Sequence, residues 1–362
     1  MKKLDWYILR KFVSTFFFCM LLFTVIAVAV DSSEKTDDFV MSGLSTRQII
    51  LHYYIGFVPY IWGLLFPLFV FIAVIFFTSK MAIRSEIIAT LACGVTYNRW
   101  LRTYLVGGVF FAVVLWLAAR YVLPRANAIR SDFQATYIDK HSDNNGGDHN
   151  NSYYLRTDSN SYIGLKNFDT ASKTGYTFFL NRLSGGKLVY NLRAESIRWD
   201  TAHRNWKLLN VTERQVERMK EVITQRPEQN ISLSFTPEAL RRDAYLKDNL
   251  TTPELVAYIK AEELRGSEGV NTLKVERYRR TATPFSVLLL TMIGAIVAGR
   301  KTRGGSGFHL AIGIIIAVTF ILFERFSSVF SVKGNLHPFI AAWIPNTLFL
   351  FIGIWLYRKA PK

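Results

Sequence analysis

Five arginines mark the two points where apolar segments meet a long polar region. Arg125 and Arg130 follow the third apolar segment, and Arg277, Arg279 and Arg280 precede the fourth. A guanidinium group can hold phosphate through two parallel hydrogen bonds, so clustered arginines suit a phosphorylated ligand. Contact with phospholipid headgroups, or with the protein's own acids, is the alternative. The pattern predicts a site for a phosphorylated amphiphile near a membrane surface.

Other charged residues lie within or beside the apolar segments. Glu324 and Arg325 fall near the end of the fifth segment, and Lys35 follows the first segment in an acidic loop. Charges at membrane depth are costly, and they are functional candidates by default. Because adjacent residues on a helix do not face each other, Glu324 and Arg325 need not pair. A snorkelling arginine and a glutamate hydrated among headgroups are the alternative.

The sequence lacks the motifs of a self-sufficient catalyst. It has no GxxxxGKS/T phosphate loop and no HExxH, GxSxG or CxxC pattern. His141 and His149 lack the carboxylate–histidine spacing that a metal site needs. We therefore predict no catalytic residue, no cofactor and no metal in this chain.

Six apolar runs are long enough to cross a bilayer, which takes roughly 20 residues each. They are Phe12–Val30, Ile55–Phe77, Thr103–Leu123, Pro284–Gly299, Phe308–Val329 and Phe339–Tyr357, and the fourth is expected to start earlier, near Tyr278. The predicted domains are residues 1–124 with three spans, an inserted polar domain at 125–280, and residues 281–362 with three more spans.

The net charge of +17 is distributed along the chain in a way that argues against nucleic acid. Basic residues gather before the first span, between spans two and three and between spans four and five, and after the sixth span, whereas the opposite short loops hold only Lys35, Arg47 and Lys333. This is the positive-inside pattern. It predicts an inner-membrane protein with both termini in the cytoplasm and the polar domain in the periplasm.

The cytoplasmic connection between spans two and three contains a predicted short helix at about residues 84–94. Ser85 is expected to cap Glu86–Cys93, with Gly94 at its C-terminal end. Ile87 and Leu91 lie one helical turn apart and form part of an apolar stripe. The segment is either a surface helix lying on the membrane or a coupling helix that docks into a cytoplasmic motor, where Glu86 would pair with a basic residue of the partner.

The polar domain contains short aromatic and β-branched segments that are separated by polar turn clusters. Regular short strands of this kind indicate an antiparallel, all-β sandwich or roll. The predicted strands are Ser152–Arg156, Tyr162–Lys166, Tyr176–Arg182, Lys187–Leu192, Glu195–Trp199 and Trp206–Thr212. Ser142–Asn151 is predicted to be a mobile low-complexity segment, and Glu254–Arg265 an amphipathic helix that leads back to the membrane. The fold class is thus a six-span α-helical membrane protein with an inserted β domain.

These features together resemble the lipopolysaccharide export permease family LptF/LptG, almost from end to end. The resemblance is carried by Arg84–Ile88 with Cys93 and Gly94, Trp206–Leu208, Pro284–Gly294, Gly304 and Gly305, and Ala341–Asn346. The Trp199–Leu208 hairpin and the Leu255–Gly266 helix lean toward LptG.

The resemblance implies a permease heterodimer of LptF and LptG types over an LptB-type ATPase dimer. Arg84, Glu86, Ile87, Leu91 and Gly94 would belong to the coupling helix. The inserted domain would be a β-jellyroll that passes lipopolysaccharide to an LptC/LptA-type bridge. Spans one and five would form a lateral gate near Glu324 and Arg325.

The family lysine that can meet lipid phosphate near the end of the first span is not matched here. Ala27–Asp31 occupies that region, so Lys35 is the candidate in its place. Together with Arg125, Arg130, Arg277 and Arg280, the residues Lys35, Glu324 and Arg325 form the predicted lipopolysaccharide-binding set.

Two other functions stay open at the level of sequence. One is a membrane-embedded enzyme that modifies envelope lipids or glycans with a site in the inserted domain. The other is an export-side scaffold or sensor that transports nothing. Lipopolysaccharide extraction by a permease with a partner ATPase is the function that the residues favour.

Overall fold

The protein is described by a computed structural model. It covers residues 3–138, 152–158, 160–169, 172–185, 187–201, 203, 205–217, 220–233, 246–265, 269–300 and 305–360. The predicted low-complexity segment Ser142–Asn151, together with His141, His149 and Gly304, lies outside these residues.

Helices account for two blocks of the chain, one on each side of a block of strands. They are α1 (Lys3–Glu34), α2 (Thr36–Met41), α3 (Thr46–Ile49), α4 (Ile55–Ile83), α5 (Glu86–Ala92), α6 (Tyr97–Leu117), α7 (Leu123–Phe133), α8 (Leu246–Asn249), α9 (Thr252–Arg265), α10 (Val270–Ala298), α11 (Gly305–Lys333) and α12 (Pro338–Arg358). Wider π-helical turns join some of these helices. The turn at Ile50–Tyr54 joins α3 to α4, the turn at Ala118–Val122 joins α6 to α7, and the turn at Gln134–Ile138 follows α7.

Six helices in the described residues are long and apolar enough to cross a membrane, as the sequence predicts. The fourth, α10, begins at Val270, eight residues before the predicted start at Tyr278. Hydropathy detects only the apolar part of a helix, whereas residues 270–277 are mostly polar and belong to the same helix. Pro284 lies inside α10 without ending it, as prolines do in membrane helices whose neighbours satisfy the freed carbonyl.

The chain forms two compact units, and the first holds the six membrane helices. It comprises residues 1–139, 247–255 and 271–362. Its two ends are defined by connectivity. We call the end that holds Leu4, Ala360 and α5 the terminal end, and the end at which the chain leaves the unit after residue 138 and re-enters it at residue 247 the insertion end.

Aromatic rings pack α1, α4 and α6 together in the helical unit. Phe12 and Phe16 of α1 contact Phe111 of α6, with ring centroids 4.9 and 4.4 Å apart. Each such pair contributes about 0.5–1.5 kcal/mol beyond area burial. Gly107 allows the close approach, because a Cβ there would lie 2.7 Å from the Phe12 ring.

Polar contacts join α12 to its neighbours within the same unit. Asn346 donates to the carbonyl of Ala282 in α10 at 2.9 Å, and Ser327 of α11 donates to that of Ala341 at 2.5 Å. Ala341–Asn346, one of the segments that carry the family resemblance, therefore holds three helices together.

The second unit, residues 140–246 and 256–270, contains one antiparallel sheet. Its strands pair in sequence order: β1 (Ser152–Asp158), β2 (Ser161–Asp169), β3 (Thr174–Ser184), β4 (Lys187–Asp200), β5 (Asn205–Glu217) and β6 (Lys220–Ile231). Trp199 and Trp206 stand opposite each other across the β4–β5 hairpin with ring centroids 5.1 Å apart. The inserted all-β domain is confirmed.

Two strand predictions are wrong in detail. The segments Lys187–Leu192 and Glu195–Trp199 are one strand, because Ala194 continues the buried side of β4 beyond Leu192. The strand β6 was not predicted, because nearly all of its side chains are exposed and it shows no alternation of apolar and polar residues. The amphipathic helix at Glu254–Arg265 is confirmed as α9.

Candidate functional site

At the terminal end, the carboxylate of Glu86 is bound within the chain. Tyr7 of α1 donates to Glu86 Oε2 at 3.0 Å, and the Lys11 Nζ lies 3.6 Å from the same oxygen. Arg84 is a weaker neighbour, at 3.9 Å from Oε1. The predicted coupling segment is therefore tied to the first membrane helix.

A second ion pair links α1 to α6 at the same end. Arg99 donates to Asp5 Oδ2 at 2.7 Å, and Thr103 donates to Asp5 Oδ1 at 3.0 Å. Asp5 is buried, so this pair lies at the protected side of the helix packing. Through Asp5 and Glu86, α1 contacts both α6 and α5.

The orientation of α5 separates the predicted apolar stripe into inner and outer residues. Ile87 is 2% exposed and packs with Leu91 against the helical core, whereas Ile88 is 51% exposed. Ser85 does not provide the predicted side-chain cap, because its backbone is left-handed (φ 59°) and its hydroxyl makes no cap hydrogen bond. Gly94 does lie at the C-terminal end, with φ +83°.

Lys35 lies in a separate cluster near the insertion end of α1. Its ammonium group is 3.0 Å from Asp31 Oδ1, and it donates to the hydroxyl of Tyr53. Tyr53 in turn donates to Asp31 at 3.0 Å. The candidate lysine is thus paired with a carboxylate one helical turn away.

Four of the five clustered arginines, the four assigned to the predicted lipopolysaccharide-binding set, divide by exposure. Arg125 is exposed and Arg277 is half-buried, whereas Arg130 is buried with its guanidinium 3.8 Å from the centre of the Tyr60 ring. Arg280 is also buried and donates to the carbonyls of Lys247 and Leu250, both at 2.8 Å. These two hydrogen bonds attach the returning chain segment at 247–250 to α10.

A charged cavity of about 170 Å³ lies near the insertion end, inside the helical unit. It brings together four of the residues singled out in the sequence, Arg279, Arg280, Glu324 and Arg325, but not Lys35, Arg125, Arg130 or Arg277. Its acidic residues are Glu276 and Asp248 besides Glu324. Its apolar lining is Leu64, Leu65, Leu115, Leu123 and Ile321 with Pro67, Pro124 and Pro284.

Sequence reasoning missed two acidic residues of this cavity, Glu276 and Asp248. The carboxylate of Glu276 lies 3.0 Å from Arg279 and 3.4 Å from Arg280. Its spacing of three and four residues before those arginines is the signal that could have identified it. Asp248 had no such signal, because it reaches the cavity from the segment that returns from the inserted domain.

The environment of Asp248 disfavours its charged form. Burial, and secondly the negative charge of Glu276, raise the pKa of this carboxyl above its usual value, although Lys247, Arg279 and Arg130 oppose the shift. Among the described residues its carboxylate forms no ion pair. Asn127 of α7 donates instead to the backbone carbonyl of Asp248 at 3.0 Å.

Six apolar helices interrupted by an antiparallel sheet define a multi-pass membrane protein with an inserted β domain. The model of the family described as the lipopolysaccharide export system permease LptF/LptG matches residues 6–359, nearly the whole chain. The chain belongs to this family, so it is a lipopolysaccharide export permease, a transporter component and not an enzyme. The matched model covers LptF and LptG together, and the lean toward LptG stays a prediction. A search of curated proteins gave no match.

Proposed function

We propose that the chain is one of two permease subunits that extract lipopolysaccharide from the outer leaflet of the inner membrane. Its partners would be a second LptF/LptG-type subunit, an LptB-type ATPase dimer and an LptC/LptA-type periplasmic bridge. Exposing an acyl chain to water costs about 0.8 kcal/mol per CH₂, so extraction needs an energy source. Because the sequence has no nucleotide-binding motif, that energy is expected to come from the partner ATPase.

The proposed orientation places the terminal end in the cytoplasm. Lys and Arg residues concentrate beside the helix ends there, in accordance with the positive-inside rule. The insertion end would then face the periplasm, and the sheet of residues 152–231 would receive the extracted lipid. The domain roles that the sequence suggests for residues 1–124, 125–280 and 281–362 are part of this proposal, and within 125–280 the compact inserted unit is residues 140–246 and 256–270.

The single observation that carries the coupling proposal is the way α5 is held. Its inner residue Ile87 is buried in the helical core, and Glu86 is tied to Tyr7 and Lys11 of α1. Its outer side presents the exposed Ile88 to a partner. A push from the ATPase on α5 would then reach α1, the helix that the family places at the lateral gate.

Cargo phosphate is proposed to meet the accessible arginines first. Arg125 and Arg277 have the exposure for this, whereas Arg130, Arg280 and Lys35 would support the site by holding their neighbours in place. Glu324 and Arg325 are assigned to the cavity and not to the cargo phosphate.

The test is release of lipopolysaccharide from proteoliposomes that contain both subunits and the ATPase. We expect Ile88→Asp to abolish ATPase association and release, because it places a charge in an apolar contact. Glu86→Lys should leave ATP hydrolysis but lower lipid release, because it repels Lys11 and frees α5 from α1.

The matched control is Val40→Asp, which adds the same charge at an exposed position (75%) near the insertion end. It should leave ATPase association unchanged. Normal release by both Ile88→Asp and Glu86→Lys would contradict the proposed coupling role of α5.

A further inference from the structure

The charged cavity near the insertion end is lined by equal numbers of basic and acidic side chains. Three guanidinium groups (Arg279, Arg280, Arg325) face three carboxyl groups (Glu276, Glu324, Asp248) among its lining residues. A site for a phosphate alone would carry excess positive charge, and a site for a cation alone would carry excess negative charge. A balanced set suits a ligand that has both charges.

Most of the inner charges are already used by the protein itself. Arg280 is committed to Glu276 and to the carbonyls of Lys247 and Leu250. Arg279 pairs with the same Glu276 at 3.0 Å. These three side chains line the cavity and are bound to one another, and together they carry one positive charge in excess of the Glu276 carboxylate.

Glu324 and Arg325 on α11 differ from these inner residues. Neither side chain forms a hydrogen bond or an ion pair with any part of the chain that the structure describes, although the charge of Glu324 also acts on Arg279, and both residues line the cavity. Glu324 is half-buried and Arg325 exposed. Neighbours on a helix point in different directions, so one acid and one base can contact two ends of a single ligand.

A third group in the cavity wall is the side-chain oxygen of Asn127. Asn127 is 9% exposed and its Nδ2 donates to the carbonyl of Asp248, whereas its buried Oδ1 accepts no hydrogen bond from the residues that the structure describes. A buried carbonyl oxygen needs a donor. An N–H group of a ligand can supply that donor, whereas a quaternary ammonium cannot.

The size and lining of the cavity indicate how much of a ligand enters. Its volume of about 170 Å³ corresponds to roughly six water molecules at ~30 Å³ each, which suits a headgroup and not a whole lipid. Leucine and proline side chains continue the lining, and the walls belong to membrane helices. The acyl chains of such a ligand would remain in the bilayer.

We propose that this cavity binds the headgroup of a zwitterionic phospholipid with a primary ammonium, as in phosphatidylethanolamine. The ammonium group donates to Glu324 and Asn127 Oδ1, and the phosphate accepts from Arg325. This site lies within one subunit and is separate from the proposed cargo phosphate contacts at Arg125 and Arg277. It does not depend on the export mechanism, because it needs only the helical unit in a membrane.

The test is lipid binding by the purified full chain, measured by native mass spectrometry after exchange into lipid nanodiscs of defined composition. Phosphatidylethanolamine, phosphatidylcholine and phosphatidylglycerol with identical acyl chains are compared with soluble phosphoethanolamine. Wild-type protein should retain phosphatidylethanolamine about tenfold more tightly than either other lipid, since a lost charge-assisted hydrogen bond is of that order. Soluble phosphoethanolamine should bind weakly.

Two variants separate the roles of the charges. Glu324→Gln should reduce the preference for phosphatidylethanolamine over phosphatidylcholine without abolishing it, because the amide oxygen accepts a weaker hydrogen bond than the carboxylate while Asn127 Oδ1 still accepts from the ammonium. Arg325→Gln should weaken the binding of both phosphatidylethanolamine and phosphatidylcholine and should keep the preference for phosphatidylethanolamine. Glu34→Gln and Lys333→Gln are exposed controls that should leave binding unchanged, and unaltered thermal unfolding confirms that each variant is folded.

Equal retention of the three lipids, or a cavity that holds water only, would overturn the proposal. So would an identical effect of the two α11 variants on both lipids. Because the assay contains no ATPase and no lipopolysaccharide, its result is independent of whether the proposed coupling role of α5 is correct.

Discussion

Two groups of charges in the helical unit, one beside α5 at the terminal end and one on α11 at the insertion end, are used in opposite ways. At the terminal end, Glu86 is bound by Tyr7 and Lys11, and Asp5 is bound by Arg99 and Thr103. At the insertion end, Glu324 and Arg325 line a cavity and form no ion pair with the described residues. The first arrangement joins helices to one another, and the second leaves charges available for a ligand.

The energetics of these pairs support that distinction. An exposed ion pair contributes about 0–1 kcal/mol, so the Glu86–Lys11 pair, with side chains 27% and 33% exposed, fixes position more than it adds stability. A buried charge that loses its partner costs far more. Stability should therefore depend most on the buried groups at either end, and binding on the unpaired ones.

The largest expected effect comes from Arg280→Met at the insertion end. It leaves the carbonyls of Lys247 and Leu250 without donors and Glu276 with one cation fewer, which should cost about 3 kcal/mol. The apparent unfolding midpoint in detergent is the measurement. Arg125→Met removes an exposed arginine at the same end and should change stability by less than about 0.5 kcal/mol. Equal effects of the two would show that Arg280 does not pin the segment at 247–250.

Asp5→Asn tests the buried pair at the terminal end. The amide keeps the shape but loses the ion pair with Arg99, whose side chain is 39% exposed and can rehydrate. We therefore expect a smaller loss, about 1–2 kcal/mol. Asp37→Asn, in an exposed turn of α2, is the control. If Asp5→Asn lowers stability as much as Arg280→Met does, then rehydration of the half-exposed Arg99 does not reduce the cost of losing its partner.

The sequence predicts the organisation of the molecule better than it predicts the site. The six membrane helices follow from long apolar runs, and the β domain from alternating residues, because both signals are local. Lys11 and Tyr7, the partners of Glu86, lie 75 and 79 residues from it in the chain. Asp248 lines the cavity from the segment that returns from the inserted domain, far in sequence from the first three spans. No local spacing reports such contacts. Likewise, hydropathy marks Ile87 and Ile88 alike, and only the packing shows that one is buried and the other exposed.

A double-mutant cycle on Lys11→Met and Glu86→Gln distinguishes an internal role of Glu86 from a role at the partner. If Glu86 acts through α1, the two single variants and the double variant should lower lipid release equally. Their coupling energy in unfolding should be about 0.5 kcal/mol, as for an exposed pair. Additive losses of release, with no coupling, would instead place Glu86 against the ATPase, as the sequence first suggested.

The smallest expected effect concerns the pH dependence of stability through Asp248. Burial and the nearby Glu276 raise the pKa of this carboxyl, so the folded state binds its proton more readily than the unfolded state does. Its contribution should therefore favour folding below its usual pKa and disfavour it as pH rises through the raised value. Asp248→Asn should be slightly more stable than wild type at neutral pH, and this gain should shrink as pH falls toward the usual value. Glu254→Gln is the control with the opposite sign, because a hydrogen bond from Thr251 lowers the pKa of Glu254. If the stability gain of Asp248→Asn persists unchanged at low pH, the environment of Asp248 does not disfavour its charged form. The cavity would then resemble the paired clusters at the terminal end.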